Sequence, residues 1–324
     1  MFDIDTQIKA DLNEVETILS TLLTGSEFEA NVNSMCQHVV KAGGKRIRPL
    51  VCILAWHALN WVNSTNGFDR LVKYAAATEL LHTASLVHDD VIDKATVRRG
   101  KKTLNDTDGN HAAVLAGDYL FTRCFFCLHD IDNSKLFSIV NNTLASLVTG
   151  EINQLHNQGN LDISISDYEN TIYCKTGALF EMASGGVAVM NEEPEEIVDA
   201  LKEYGKQLGI AFQVADDLLD YVSSSEVLGK TVGEDLEDGR ITLPLILARL
   251  NCSDTEKEIL DKAVKDCDLK KVTEFIEAKN AVELSKEYAM NAVLKAKEAL
   301  AVIPDSPYRQ KLYDLALKAL NRSK

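Results

Sequence analysis

Proline is scarce in this chain, with 5 in 324 residues, and aromatic side chains make up only 6%. Few chain breakers, together with abundant Ala, Leu, Glu and Lys, exclude a proline-rich chain and favour helix over sheet. Alternation of apolar and polar residues is missing over any useful length, which argues against strands. Positive charge is also in short supply, and the formal net charge is −15. A chain so acidic is repelled by nucleic-acid phosphates and by anionic lipid, so neither is an expected partner. No apolar run reaches the roughly 18 residues of a membrane span, so stable membrane insertion is not expected. The N-terminal stretch MFDIDTQIKADLNEVE is acidic and amphipathic rather than basic then apolar, so a secretory signal is not expected. The 7 cysteines are odd in number and follow no framework of spacings. A reducing, cytoplasmic setting fits them. Cys124 and Cys127 form a CxxC inside the apolar run CFFC. With no second ligand pair, neither zinc nor redox work is expected there.

What is present is helical periodicity. Hydrophobic residues make up 46% of the chain, enough for a sizeable core. Their spacing predicts helices over 5–23, 28–41, 49–63, 68–93, 111–131, 134–157, 167–190, 195–222, 240–250, 254–265, 280–302 and 308–321. Short breaks such as AGGK (42–45), NEEPEE (191–196) and IPDSP (303–307) separate them. The expected fold class is all-α: one domain over 1–324, a large helical bundle surrounding a central apolar cavity.

Two acidic motifs share one spacing. LVHDDVIDKATVRRG (86–100) carries Asp89, Asp90 and Asp93 at the end of a long predicted helix, and FQVADDLLDYV (212–222) carries Asp216, Asp217 and Asp220. On a helix the first and last acid of each set lie four apart on one face. Like charges so placed destabilise the helix by a few tenths of a kcal/mol, and the negative end of the helix dipole adds to that. A divalent cation reverses both penalties, and hard oxygen ligands with room for water and phosphate suit Mg²⁺. One motif alone reads better as a solvated helix end. The second copy, flanked by Phe212, Val214, Leu218 and Leu219, favours paired metal sites around a diphosphate.

Basic residues cluster nearby. AGGKRIRP (42–49) supplies Lys45, Arg46 and Arg48; Lys94 to Lys102 holds five basic residues and no acid. Lys175 and Thr176 lie in YCKTGALFE, and Lys230 in the glycine-rich LGKTVGEDLEDGR. Glycines before a helix N-terminus make an anion cradle. The acids are expected to meet metal ions and the arginines phosphates, rather than one another.

Through GGKRIRP (43–49), ELLHTASLVHDDVID (79–93), RRG (98–100), GD (117–118), KTGALF (175–180), FQVADDLLD (212–220) and GKTVGEDLEDGRITLPL (229–245), the chain resembles the all-trans polyprenyl diphosphate synthases, isoprenoid synthases by fold. The resemblance covers about residues 40–250. It implies a Mg²⁺-dependent prenyltransferase adding isopentenyl diphosphate head-to-tail, in trans, to an allylic diphosphate such as farnesyl diphosphate. Asp89 and Asp93 would bind Mg²⁺ on the allylic diphosphate, with Asp90 in support. Asp216 would hold a further Mg²⁺, with Asp217 and Asp220 orienting water and metal, three ions in all. Arg98, Lys175 and Lys230 would contact the allylic diphosphate. Lys45, Arg48, His82 and Arg99 would hold that of isopentenyl diphosphate. Thr176 and Gln213 would face the allylic carbon that becomes cationic. The resemblance also implies a homodimer, and a long product suggests a quinone side chain.

The resemblance implies that product length is set by how deep an apolar tunnel runs, and the tunnel is expected below Asp89. Four and five residues before it stand Ser85 and Ala84, then Leu81, Ala77 and Ala76. One helical turn of roughly 5.4 Å is about one isoprene unit. Small residues at 84 and 85 leave the path open, so an octaprenyl product of forty carbons is expected, within thirty to fifty. Floor candidates are Phe121, Phe125, Phe137 and Val140, each of which serves equally as core packing. The alternatives are a short-chain farnesyl or geranylgeranyl synthase, a di-iron protein using Glu79 and His82, a phosphohydrolase using His88 and Asp89, and a non-catalytic partner subunit.

Overall fold

The computed structural model describes residues 3–60, 67–222 and 233–320. The fold is all-α as expected, with one two-stranded ribbon among the described residues. The chain groups into two compact units. The first comprises Met1–Leu144, Leu179–Lys202 and Val302–Leu312; the second comprises Ala145–Ala178, Glu203–Ala301 and Tyr313–Lys324.

The first unit opens with α1 (Ile4–Leu22), α2 (Ala30–Lys41) and α3 (Ile47–Leu59). Asp3 caps α1 by accepting from the Asp5 N–H at 3.2 Å, and Ile8, Val15 and Leu19 form its buried stripe. At the heart of this unit lies α4 (Phe68–Ile92), buried on most of its circumference from Leu71 to Asp90. A helix apolar on nearly every side belongs inside a core, and α4 packs on α1, α3 and α6 (Asn110–Ile131). Tyr74 on α4 is fully buried and donates to the Met182 carbonyl at 2.6 Å. That carbonyl lies on α9 (Ala178–Met190). Gly186, one turn further on, leaves room for the tyrosine hydroxyl.

α4 stops where the first acidic motif ends. Lys94 takes the left-handed conformation with φ 53°, its N–H donates to Val91 O at 3.4 Å, and the Ala95 N–H donates to Asp90 O at 2.9 Å. These are the paired bonds that close a helix through a left-handed residue. The chain then forms a hairpin of β1 (Val97–Arg98) and β2 (Lys101–Lys102). Both turn residues, Arg99 and Gly100, have positive φ, 53° and 73°. Two such residues in a two-residue hairpin mark a type I′ turn, whose second place suits glycine.

The second unit holds α8 (Ile165–Ile172), most of α10 (Glu195–Val222), a short α11 (Glu234–Glu237), α12 (Leu243–Leu250), α13 (Asp254–Lys265), α14 (Leu269–Ala278) and α15 (Ala281–Ala299). Predicted and observed helices agree closely in most places. The expected helix 167–190 is interrupted by a π turn, Tyr173–Gly177, in which the Ala178 N–H donates to Tyr173 O. Helix α14, absent from the expected set, starts at Asp268, whose side chain accepts from the Lys271 N–H, and buries Val272 and Ile276. The stretch 240–242 precedes α12, with Thr242 as its cap and Pro244 in its first turn. Of the free cysteines, Cys36, Cys52, Cys124, Cys127 and Cys252 are buried and Cys267 is exposed. Burial pushes the Cys127 thiol up to about 12 and Cys124 higher still.

A Cβ at Gly186 would lie 1.8 Å from the Tyr74 hydroxyl oxygen. Gly186→Ala is therefore expected to lower stability by about 1–3 kcal/mol through overpacking. Urea denaturation checks this, and the double variant with Tyr74→Phe should lose less than the sum of the single losses.

Candidate active site

In the first unit, the last turn of α4 presents its three carboxylates to different surroundings. Asp90 is buried, Asp89 half-buried and Asp93 exposed. Arg98 Nε donates to Asp90 Oδ1 at 2.6 Å. Acids and arginines were expected to wait for other partners; here one of each pairs directly. The reason is burial, which raises the Asp90 carboxyl while the guanidinium beside it draws it back down.

The hairpin that carries Arg98 is tied to the glycine loop before α3. Arg99 Nη1 donates to the Gly43 carbonyl, and Lys101 Nζ donates to Lys41 O at 3.1 Å. Arg48 is buried, with its guanidinium 4.7 Å from the centre of the Phe180 ring, and Lys45 is exposed. Arg46 is occupied otherwise, bonded to Glu16 and, at 2.9 Å, to Glu79. His82 stands within the field of this group: burial, then Arg48, Arg99, Arg98 and Arg46, hold its pKa well below the usual histidine value. The ring is thus neutral and free to act as donor or acceptor. Arg98, Arg99, Lys101 and Lys102 also line a recess of about 30 Å³ with His38 and Asp90. The structure thus brings Arg48, His82, Arg98 and Arg99 into one positive cluster within a chain of net charge −15.

In the second unit, a chain of hydrogen bonds runs from the π turn to the second acidic motif. Thr176 Oγ1 donates to Gln213 Oε1 at 2.8 Å, and Gln213 Nε2 donates to Asp217 Oδ1 at 2.7 Å. Tyr168 on α8 donates to Asp217 Oδ2 at 2.6 Å. π turns displace side chains from the regular helical register and occur often at functional sites. Lys175, in the middle of this one, lies 2.9 Å from Glu151 Oε2 and 3.5 Å from Gln154 Oε1. Burial first, then Asp235, raises the Asp217 carboxyl above the ordinary carboxylate range. Asp220 is fully buried; its Oδ2 accepts from the Asp235 N–H at 3.0 Å. Asp216 is half-buried. Gln154, Tyr168, Lys175, Gln213, Asp217 and Asp235 line a cavity of about 90 Å³. Tyr168, Glu151, Gln154 and Asp235 were not among the expected site residues. Lys230 lies outside the described residues.

The donor set suits a hard divalent cation: each motif offers carboxylates alone, and Asp220 Oδ1 is buried with no hydrogen-bond partner among the described residues. No three His, Cys, Asp or Glu side chains among the described residues converge as a ready-made cage.

Of the expected tunnel residues, Ala84, Leu81 and Val140 are buried, and Ser85 is half-buried with its hydroxyl on His82 O at 2.9 Å. Phe121 packs edge-on against His88 at 5.5 Å, and Phe125 tilts on Phe137, which is itself 46% exposed. His88 Nε2 lies 3.1 Å from Val114 O, and Gly117 lies so close that a Cβ there would be 2.3 Å from the ring. His88 Nε2 thus faces a backbone carbonyl rather than Asp89. Glu79, needed by a di-iron site, is spent on Arg46.

Residues 29–282 match the polyprenyl synthetase family. The all-trans-nonaprenyl-diphosphate synthase (geranyl-diphosphate specific) of Rhodobacter capsulatus is 38% identical over 296 residues, covering 90% of this chain and 90% of that protein. The octaprenyl diphosphate synthase of Escherichia coli is 37% identical over 300 residues, with the same 90% coverage of each. The crystal structure of a decaprenyl diphosphate synthase from Rhodobacter capsulatus superposes with a TM-score of 0.90 at 33% identity, covering 98% of both chains. The chain belongs to the polyprenyl synthetase family. Enzymes of this family are prenyltransferases acting on isoprenyl diphosphates.

Asp217 supplies a pH test. A carboxyl whose pKa is raised by folding contributes stability that is full below the ordinary aspartate value of about 4 and is lost as pH climbs through the raised value. In chelator-treated protein, stability is expected to fall as pH rises from about 4 toward neutral, and Asp217→Asn should flatten that fall. Urea midpoints over a pH series check it.

Proposed function

We propose that the protein is a long-chain trans-polyprenyl diphosphate synthase. The observation that carries this is the hydrogen-bonded line from Thr176 through Gln213 to Asp217, which joins the KT π turn to an acidic motif inside one unit. Support for the chain length comes from its similarity to nonaprenyl and octaprenyl synthases. The match to the family spans segments of both units, which supports reading 1–324 as one synthase domain.

In this reading Asp89 and Asp93 hold Mg²⁺ on the allylic diphosphate with Asp90 behind them, and Asp216 holds a further ion supported by Asp217 and Asp220. Three ions per site, when bound, neutralise the diphosphate and so assist its departure. Arg98, Lys175 and Lys230 grip the same group, adding positive charge where negative charge develops. Lys45, Arg48, neutral His82 and Arg99 hold the isopentenyl diphosphate, so that its double bond meets the allylic carbon without a diffusive search. The Thr176 and Gln213 oxygens face the carbon as it becomes cationic. The proton lost after bond formation goes to pyrophosphate, and no protein base is needed.

The allylic substrate is farnesyl diphosphate or a close relative, and the product about octaprenyl in length. The tail descends past Ser85, Ala84 and Leu81. A homodimer completes the reading: Leu115 and Phe126, on one face of α6, are 65% and 53% exposed. Sedimentation at micromolar concentration should show twice the chain mass, and a monomer would sink that part. Seven unpaired thiols support a reducing, cytoplasmic location, which cell fractionation tests.

The direct assay is incubation with Mg²⁺, farnesyl diphosphate and labelled isopentenyl diphosphate, followed by sizing of the dephosphorylated products. Products of thirty to fifty carbons are expected; none would reject the assignment. Asp89→Ala and Asp216→Ala should each lower kcat about 10²-fold or more. Ala84→Tyr should cut the product to fifteen or twenty carbons, and an unchanged length would reject the path along α4.

A further inference from the structure

We propose that Glu151 is a positioning residue that competes with pyrophosphate for Lys175 and draws that lysine off the product after each addition; this rests on the diphosphate-binding role given to Lys175 above. Glu151 lies on α7 (Ser134–His156), and its Oε2 is 2.9 Å from Lys175 Nζ, with 13% of the glutamate side chain exposed. Gln154, on the next turn of α7, presents Oε1 to the same ammonium at 3.5 Å. The two segments approach closely at Gly150. A Cβ on Gly150 would come within 2.6 Å of Cys174 Cβ and 3.3 Å of Lys175 N. That close approach fixes the separation of glutamate and lysine. Lys175 and Gln154 also line the cavity that Gln213 and Asp217 face.

The lysine therefore has a carboxylate partner before any phosphate arrives. An ammonium has three donors and no acceptor, so carboxylate and phosphate oxygens compete for the same N–H groups. Glu151 is not part of either acidic motif, and its charge can only weaken anion binding at Lys175. Its benefit lies at the other end of the cycle. Each added isoprene unit leaves one pyrophosphate to be released, and release steps set the rate of many enzymes. A standing counter-ion lets Lys175 exchange the product for Glu151 without being left unpaired in a half-buried place.

The test is the affinity of the Mg²⁺-loaded protein for inorganic pyrophosphate, measured by titration calorimetry on the wild type and Glu151→Gln. The variant should bind pyrophosphate about tenfold more tightly, equivalent to about 1.4 kcal/mol. It should also show a lower KM for the allylic diphosphate and a lower kcat for repeated elongation. Lys175→Gln should weaken pyrophosphate binding, and in that background Glu151→Gln should no longer tighten it. Unchanged or weaker pyrophosphate binding in a folded Glu151→Gln protein overturns the proposal, as does equal tightening without Lys175. Glu151→Ala carries the same expectation should the glutamine variant fail to fold. A wild type that makes no prenyl product sinks both this role and the function; unaltered pyrophosphate affinity with elongation intact sinks only the role of Glu151.

Discussion

A carboxyl group buried in an apolar helix must keep its proton or find partners for its oxygens. An unpaired buried charge costs several kcal/mol even after relaxation. The rest of the second unit's site follows from meeting that demand at Asp217. Tyr168 reaches it from α8 and Gln213 from one turn earlier on α10. Gln213 is in turn oriented by Thr176, which sits in the π turn. Four side chains from three segments are thereby set in one arrangement, and preorganised dipoles of this kind need little rearrangement when charge appears nearby.

The first unit solves the opposite problem. Several cations crowd into a small region, and their mutual repulsion has to be limited. Two of them are discharged on buried acids, Arg46 on Glu79 and Arg98 on Asp90. Arg99 and Lys101 lean on backbone carbonyls instead. His82 avoids adding to the repulsion by staying neutral. The outcome is a local cluster of positive charge in a strongly acidic protein.

Much of this was legible in the amino-acid order, for identifiable reasons. Helices such as 195–222 and 254–265 carry long apolar stripes or clear caps, so their limits were readable almost to the residue. The two aspartate triplets stood out because the same spacing occurs twice in apolar surroundings. The π turn was hidden, since one surplus residue in YCKTG leaves the apolar spacing intact on either side. Helix α14 has a weak sequence signal because its stripe of Val272 and Ile276 is short and crowded by lysine and glutamate. Pairings between distant segments, such as Tyr168 with Asp217 and Glu151 with Lys175, have no local signature at all. The Asp90–Arg98 pair has no signature in the sequence, which shows charges but not which of them become buried.

The uneven burial of the thiols has a practical meaning. With five sulfurs enclosed and Cys174 only partly reachable, Cys267 is the one that a maleimide dye would meet first. It follows a helix end in the second unit, at a residue with φ 51°. A fluorophore or spin label could be attached there without engineering out the native cysteines, which makes the protein ready for spectroscopic tracking as it is.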